Sequence, residues 1–326
     1  MKNNQTETGG SCPLEISTGQ GLGRRAFLLQ QLKGALWLTL GLAGVSTPRR
    51  VWAAALPDIG IARGLPGPAA RAAVNLLGGM GAFVKPGARV VIKPNMSFAH
   101  PPERGTNTHP EVVRELAAMC REAGAAKVRV LDHPLHRQEL CIEGVRQACA
   151  VFEDDMVHAL SKPRFFKPAR IPEGREMKET DVMQDVLEAD VLIAAPTAKS
   201  HGSTGVSLSM KGMMGLVYNR WEMHSRFDLS TAIVDLATLL KPQLVVIDAT
   251  RVLSTNGPSG PGKVIELNSV IASRDMVAAD AQAVEMGEWY GQRMKPRQVP
   301  HIRLAHERGL GRMDLDKLVV KQTTAA

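Results

Sequence analysis

Between residues 89 and 131 the chain spells a strand, a helix and a strand in immediate succession. Arg89-Val-Val-Ile-Lys93 is a short apolar run that reads as a buried strand. Thr106-Asn-Thr-His-Pro110 reads as a loop, with Thr108 placed to cap the next helix and Pro110 and Glu111 in its first turn. That helix is predicted to run to about Ala123, where Gly124 suits its C-terminal stop. Lys127-Val-Arg-Val-Leu131 is the next strand. A helix between two buried strands implies a right-handed crossover, so the two strands should lie parallel.

The pattern recurs. Helices are predicted over residues 181–188, 228–240 and 275–286, and strands over 190–195, 243–247 and 269–273. The alternation predicts an α/β fold, a mainly parallel sheet flanked by helices. It spans residues 56–326 as one domain, or as two joined lobes of about 65–178 and 179–326. Residues 151–178 and 202–227 read as excursions, the second rich in Gly and Met and suited to a flap or small subdomain.

Before this region lies Gly23-Arg24-Arg25-Ala26-Phe27-Leu28-Leu29, which resembles a twin-arginine translocation signal. Residues 1–23 are polar, an apolar stretch runs from Ala26 to about Val45, and Trp52-Ala53-Ala54-Ala55 offers small residues for a signal peptidase. Arg49 and Arg50 just before that site disfavour the general secretion route. Lys33 would lie inside any retained span, where a charge is costly, so residues 1–55 read as a cleaved leader rather than an anchor. The expectation is a periplasmic bacterial protein whose export partner is the twin-arginine (Tat) translocase, with membrane contact through the leader alone.

The leader also accounts for half of the charge. It holds six of the 40 Lys and Arg and two of the 32 Asp and Glu, so the remainder carries +4 of the formal +8. Nucleic-acid binding therefore loses its electrostatic support, and 4% aromatic content is too low for a base-stacking surface. Cys12 belongs to the leader, leaving Cys120, Cys141 and Cys149. No Cys-x-x-Cys occurs, so no iron–sulfur or zinc-ribbon motif is present. Cys120 shares an apolar helix face with Val112 and Leu116; the three thiols read as buried and inert, with a Cys141–Cys149 bridge as the alternative.

In parallel α/β sheets, ligands bind beyond the carboxyl ends of the strands. The predicted ends are Lys93-Pro94-Asn95, Asp132-His133-Pro134, the segment from Pro196 to His201, and Asp248. The densest stretch, Pro196 to Gly215, offers Lys199, His201, Ser203, Thr204, Ser207 and Lys211 among glycines that expose backbone N–H groups, a set suited to a carboxylate or phosphate. His201 could act as a base or a metal ligand. Met210, Met213 and Met214 read as packing. Gly257 to Lys263 matches Gly-x-x-x-x-Gly-Lys, but Val264 replaces the magnesium-binding hydroxyl, and Pro258 and Pro261 lack N–H groups, so a nucleotide loop is rejected and a ligand-covering turn retained. Asp132, His133 and His136 lie close in sequence, but Pro134 breaks their register, and they read as structural. There is no Gly-x-Ser-x-Gly elbow. Asp275 reads as a helix cap, with Asp280 one turn later and able to face the crevice.

Taken in order, Val91-Ile-Lys-Pro-Asn95, Thr106 to Glu111, Pro196 to Gly215, Leu244-Val-Val-Ile-Asp248 with Asn256-Gly-Pro258, and Ser273 to Asp280 resemble the family called domain of unknown function 362. The resemblance implies a shared constellation of Lys93, Asn95, Lys199, His201, Lys211, Asp248 and Asp280. Many relatives read Lys-Asn where this chain has Lys211-Gly212. Some carry an iron–sulfur module whose cysteines are missing here. The resulting expectation is an exported protein in which Lys93, Lys199 and Lys211 hold a small anion beside Asn95, Ser203 and Thr204. His201 would act as acid or base, with Asp248 or Asp280 orienting it or holding a cation. The alternative is a non-catalytic carrier or maturation factor loaded with a metal or cofactor before export; the residues name no cofactor.

Overall fold

Apolar runs flanked by turn residues become the strands of one sheet. A computed structural model describes residues 56–135, 137–152 and 155–325. The leader and His136 lie outside the described residues.

The chain opens with β1 (Ile59–Arg63), α1 (Pro66–Leu76), β2 (Arg89–Pro94), α2 (Pro110–Glu122), β3 (Lys127–Asp132), α3 (Gln138–Cys149) and β4 (Val157–Ala159). A hairpin of β5 (Phe166–Arg170) and β6 (Glu179–Met183) follows, then α4 (Gln184–Leu187), β7 (Val191–Ala195), β8 (Thr197–His201) and β9 (Gly205–Ser207). Next come α5 (Ser209–Gly212), α6 (Arg220–Ser225), α7 (Leu229–Leu239), β10 (Leu244–Leu253), β11 (Val264–Ile265) and β12 (Ser269–Ser273). The chain closes with α8 (Met276–Met286), α9 (Pro300–Glu307) and β13 (Val320–Thr324).

The strand order is β13-β1-β12-β10-β7-β2-β3-β4. Pairing is parallel from β10 through β7, β2 and β3 to β4, and antiparallel where β12 lies between β10 and β1. The fold is α/β, with a mainly parallel sheet flanked by helices. Residues on either side of position 178 share this sheet. Period-two alternation sets its two faces: Val90 and Ile92 pack with α1, α2 and α3, while Val91 packs on the side of α7, α8 and α9. Gly60 lets α1 settle onto β1, because a Cβ there would lie 2.6 Å from the Ala73 carbonyl oxygen.

The structure corrects several expectations. Residues 179–183 form β6 rather than the start of a helix, because β5 supplies the ladder partner, and helix is confined to Gln184–Leu187. Thr108 does not cap α2: its hydroxyl accepts from Asn95 N at 2.8 Å and donates to Ala195 O at 2.7 Å. The His109 imidazole caps instead, accepting from Glu111 N at 3.2 Å. The strand expected over 243–247 continues to Leu253, so Asp248 lies mid-strand. Cys141 and Cys149 belong to one helix, where eight residues at 1.5 Å rise separate them by about 12 Å, beyond disulfide reach. Among the described residues, no helix is long and apolar enough to cross a membrane.

Candidate functional site

The carboxyl edge of the sheet carries the chemistry because β7 does not end there. Pro196 breaks it, and the chain resumes as β8, which runs parallel to the second half of β10 and folds back through β9. The segment expected as a strand end and loop is thus a buried hairpin standing above the ends of β2 and β3. A cavity of about 110 Å³ forms beneath it.

Lys93 is the penultimate residue of β2, and Asp132 ends β3. Lys93 Nζ lies 3.0 Å from Asp132 Oδ1, and both side chains are withdrawn from solvent. Asp132 also accepts from Met96 N at 2.6 Å and His133 N at 2.8 Å. Burial pushes the Lys93 ammonium down from its ordinary value, and Asp132 opposes that shift.

Lys199, on β8, is 1% exposed. Its Nζ donates to Thr106 O at 2.5 Å and Asn95 Oδ1 at 3.3 Å, and sits 4.8 Å from the centre of the Phe98 ring. Burial, reinforced by the nearby Lys211 and Lys93, lowers it to about 7. Lys211, on α5, reaches Met214 Sδ at 3.5 Å, and burial with Arg220 nearby brings it to about 8. Neither lysine forms an ion pair among the described residues. Arg220, at the start of α6, donates to His133 O at 2.6 Å and Pro134 O at 3.1 Å. Lys93, Lys199, Lys211 and Arg220 line the cavity, and among the described residues Asp132 is its single lining carboxylate.

His201 also lines it. Its Nδ1 accepts from Ser203 N at 3.2 Å, which leaves Nε2 as the proton-bearing nitrogen of the neutral ring. Burial and the surrounding lysines lower it to about 3. The ring therefore stays neutral at ordinary pH, and its free nitrogen donates a hydrogen bond. His224 stacks on it with ring centres 6.3 Å apart.

Six of the ten residues anticipated from sequence meet at this cavity: Lys93, Asn95, Lys199, His201, Ser207 and Lys211. The other four do not line it. Asp248 accepts from His109 N at 2.7 Å, Thr250 N at 2.9 Å and Thr250 Oγ1 at 2.6 Å, tying β10 to the start of α2. Asp280 accepts from Ser209 N and Oγ and from Met210 N, capping α5 from below; burial raises it to about 7. Ser203 is exposed at the turn between β8 and β9, and the Thr204 hydroxyl donates to Val206 O at 2.9 Å. In these placements the carboxylates of both aspartates are met by neighbouring donors.

Sequence reasoning missed Arg220, His224 and Phe98, which lie in connecting segments with no strand to mark them. It read Asp132 as structural, although its position at a strand end was the available signal. Pro258, on the turn after β10, also lines the cavity, and that turn is held down where Gly257 N donates to Ser200 Oγ at 2.9 Å. Met210 and Met213 are fully buried, and Met214 nearly so. Among the described residues, no cluster of three or more His, Cys, Asp or Glu side chains converges as a metal site.

Comparison with known proteins places this geometry. The chain is 30% identical over 223 residues to a thylakoid-associated protein of Synechocystis sp., covering 64% of this chain and 66%, just under two thirds, of that relative. Among solved structures, the lactate racemase apoprotein from Thermoanaerobacterium thermosaccharolyticum aligns with a TM-score of 0.41 and 13% identity, over 62% of this chain and 49% of that one. A protein of Thermotoga maritima aligns with a TM-score of 0.36 and 13% identity, over 69% and 55%. Residues 90–285, which run from β2 into α8 and carry every cavity-lining side chain, match the model of the domain of unknown function DUF362, and the chain belongs to that family.

Proposed function

We propose that this protein is exported by the twin-arginine route and binds a small anion in the cavity between β2, β3, β8 and α5. One observation carries the reading: Lys93, Lys211, Arg220 and the buried amine of Lys199 line a space whose single carboxylate among the described residues is already paired with Lys93. Concentrating like charge costs folding energy unless a counter-charge arrives, and a bound carboxylate or phosphate supplies it. Lys211 and Arg220 would hold the charge, and His201 would donate through Nε2. The small volume suits a ligand of a few heavy atoms. The leader supports export, and the thylakoid association of the cyanobacterial relative is consistent with a membrane-associated or exported protein.

Calorimetric titration with inorganic phosphate and with pyruvate tests the binding claim. Saturable binding that weakens at least about tenfold in Lys211→Met, roughly the worth of one charge-assisted contact, supports it. Absence of binding for both ligands, with the protein folded, overturns it.

A further inference from the structure

Resting on the anion-cavity reading, we propose that Lys199 is a covalent nucleophile. Its amine adds to the carbonyl carbon of a 2-oxo acid whose carboxylate is held by Lys211 and Arg220.

The three cavity lysines are not equivalent. Lys93 is committed to Asp132 at 3.0 Å, so its ammonium is neutralised in place. Lys211 has a thioether for a neighbour and stays a cation into mildly alkaline conditions. Lys199 differs from both. It is the most deeply buried of the three, and among the described residues its polar contacts are two neutral oxygens, Thr106 O and Asn95 Oδ1. A neutral amine has two N–H bonds to give, which these two acceptors use, leaving its lone pair unshared. Two neighbouring ammonium groups favour this uncharged form, and it is populated at neutral pH.

The same surroundings suit the product. Attack forms a C–N bond, and the carbonyl oxygen takes up the proton that nitrogen releases, giving a carbinolamine. Loss of water breaks the C–O bond and leaves an imine. Amine plus carbonyl thus become imine plus water, with no change in oxidation state and no further reactant. Protonation of the imine puts positive charge on the nitrogen 4.8 Å from the Phe98 ring centre, where the face of the ring stabilises a cation. A 2-oxo acid sets its anionic group one bond from the reacting carbon, a separation compatible with so small a cavity.

The test uses the full chain with pyruvate as probe and sodium borohydride to reduce any imine, followed by intact mass measurement and peptide mapping. The expected result is one reduced adduct per chain, on the peptide carrying Lys199, and none in Lys199→Arg. Labelling should fall about tenfold when phosphate is present at about ten times its Kd, the share of empty sites left by mass action. Mapping needs only the wild-type chain, so a variant that folds poorly does not block it. Pyruvate that binds by calorimetry but yields no adduct, or adducts scattered over surface lysines, overturns the nucleophile and leaves the anion cavity standing. No calorimetric binding of pyruvate or phosphate removes both.

Discussion

Lys93 and Asp132, at the carboxyl ends of adjacent parallel strands, form an ion pair 3.0 Å long at the base of the cavity. The pair is buried, and each member has additional partners: Lys93 donates to its neighbour's carbonyl, Pro94 O, and Asp132 gathers two backbone N–H groups. Removing one member strands the other. Asp132→Asn should lower unfolding free energy by about 3–5 kcal/mol, the range for an uncompensated buried charge. Denaturant titration measures it, and added phosphate should restore part of the loss. An Asp132→Asn protein as stable as wild type would show that the pair is not what neutralises Lys93.

Gly215 sits directly against this pair. A Cβ there would lie 2.5 Å from Asp132 Oδ1 and 2.6 Å from Lys93 Cε. Gly215→Ala should therefore destabilise the fold by about 1–3 kcal/mol, as overpacking does, and weaken phosphate binding. Gly212→Ala is the control: its Cβ would meet Pro196 Cβ at an ordinary 3.7 Å. Equal behaviour of the two variants in calorimetry and thermal melting would remove the steric account.

Stability should rise between pH 8 and pH 9. Folding lowers Lys199 to about 7 and Lys211 to about 8, while the unfolded chain keeps both near 10.5. Throughout that window the unfolded state binds more protons, so raising the pH favours the fold by up to about 1.4 kcal/mol per pH unit for each group. Asp280 is largely ionised by then and adds little. The buried thiols Cys120 and Cys149 act oppositely, but chiefly above their ordinary value of 9. Lys199→Met should flatten the slope. A wild-type protein that loses stability from pH 8 to 9 would contradict the burial of these amines.

His301 offers a separate measurement on the acid side. It is fully buried, and among the described residues neither ring nitrogen has a hydrogen-bond partner. Burial lowers it to about 3, against 6.5 for the free side chain, so stability should fall as pH drops from about 6.5 toward 3. His201 titrates in the same direction. Asp280 runs the other way: raised from 3.8 to about 7, it holds its proton in the fold and loses stability as pH rises through that interval. His301→Leu should equal or exceed wild-type stability at pH 7, since it removes unpaired buried polar atoms, and should lose less on acidification. Denaturant titrations at pH 7 and pH 5 decide it; a steeper acid loss in His301→Leu would refute the assignment.

The sequence by itself determined the α/β class and the positions of the main strands, because apolar runs of strand length between turn residues have few other ways to hide from water. It also marked Lys93, Asn95, Lys199, His201 and Lys211, since ligands gather where parallel strands end. Tertiary structure decided the rest. Asp248 left the site because β-rich residues 249–253 prolong β10, and Asp280 left it because α5 settles on the carboxylate. Arg220 and Phe98 entered from segments with no strand of their own. Lys199 could be seen as a cation in the sequence, but its protonation is set by its burial and by the charges packed around it, and both appear only once the chain has folded.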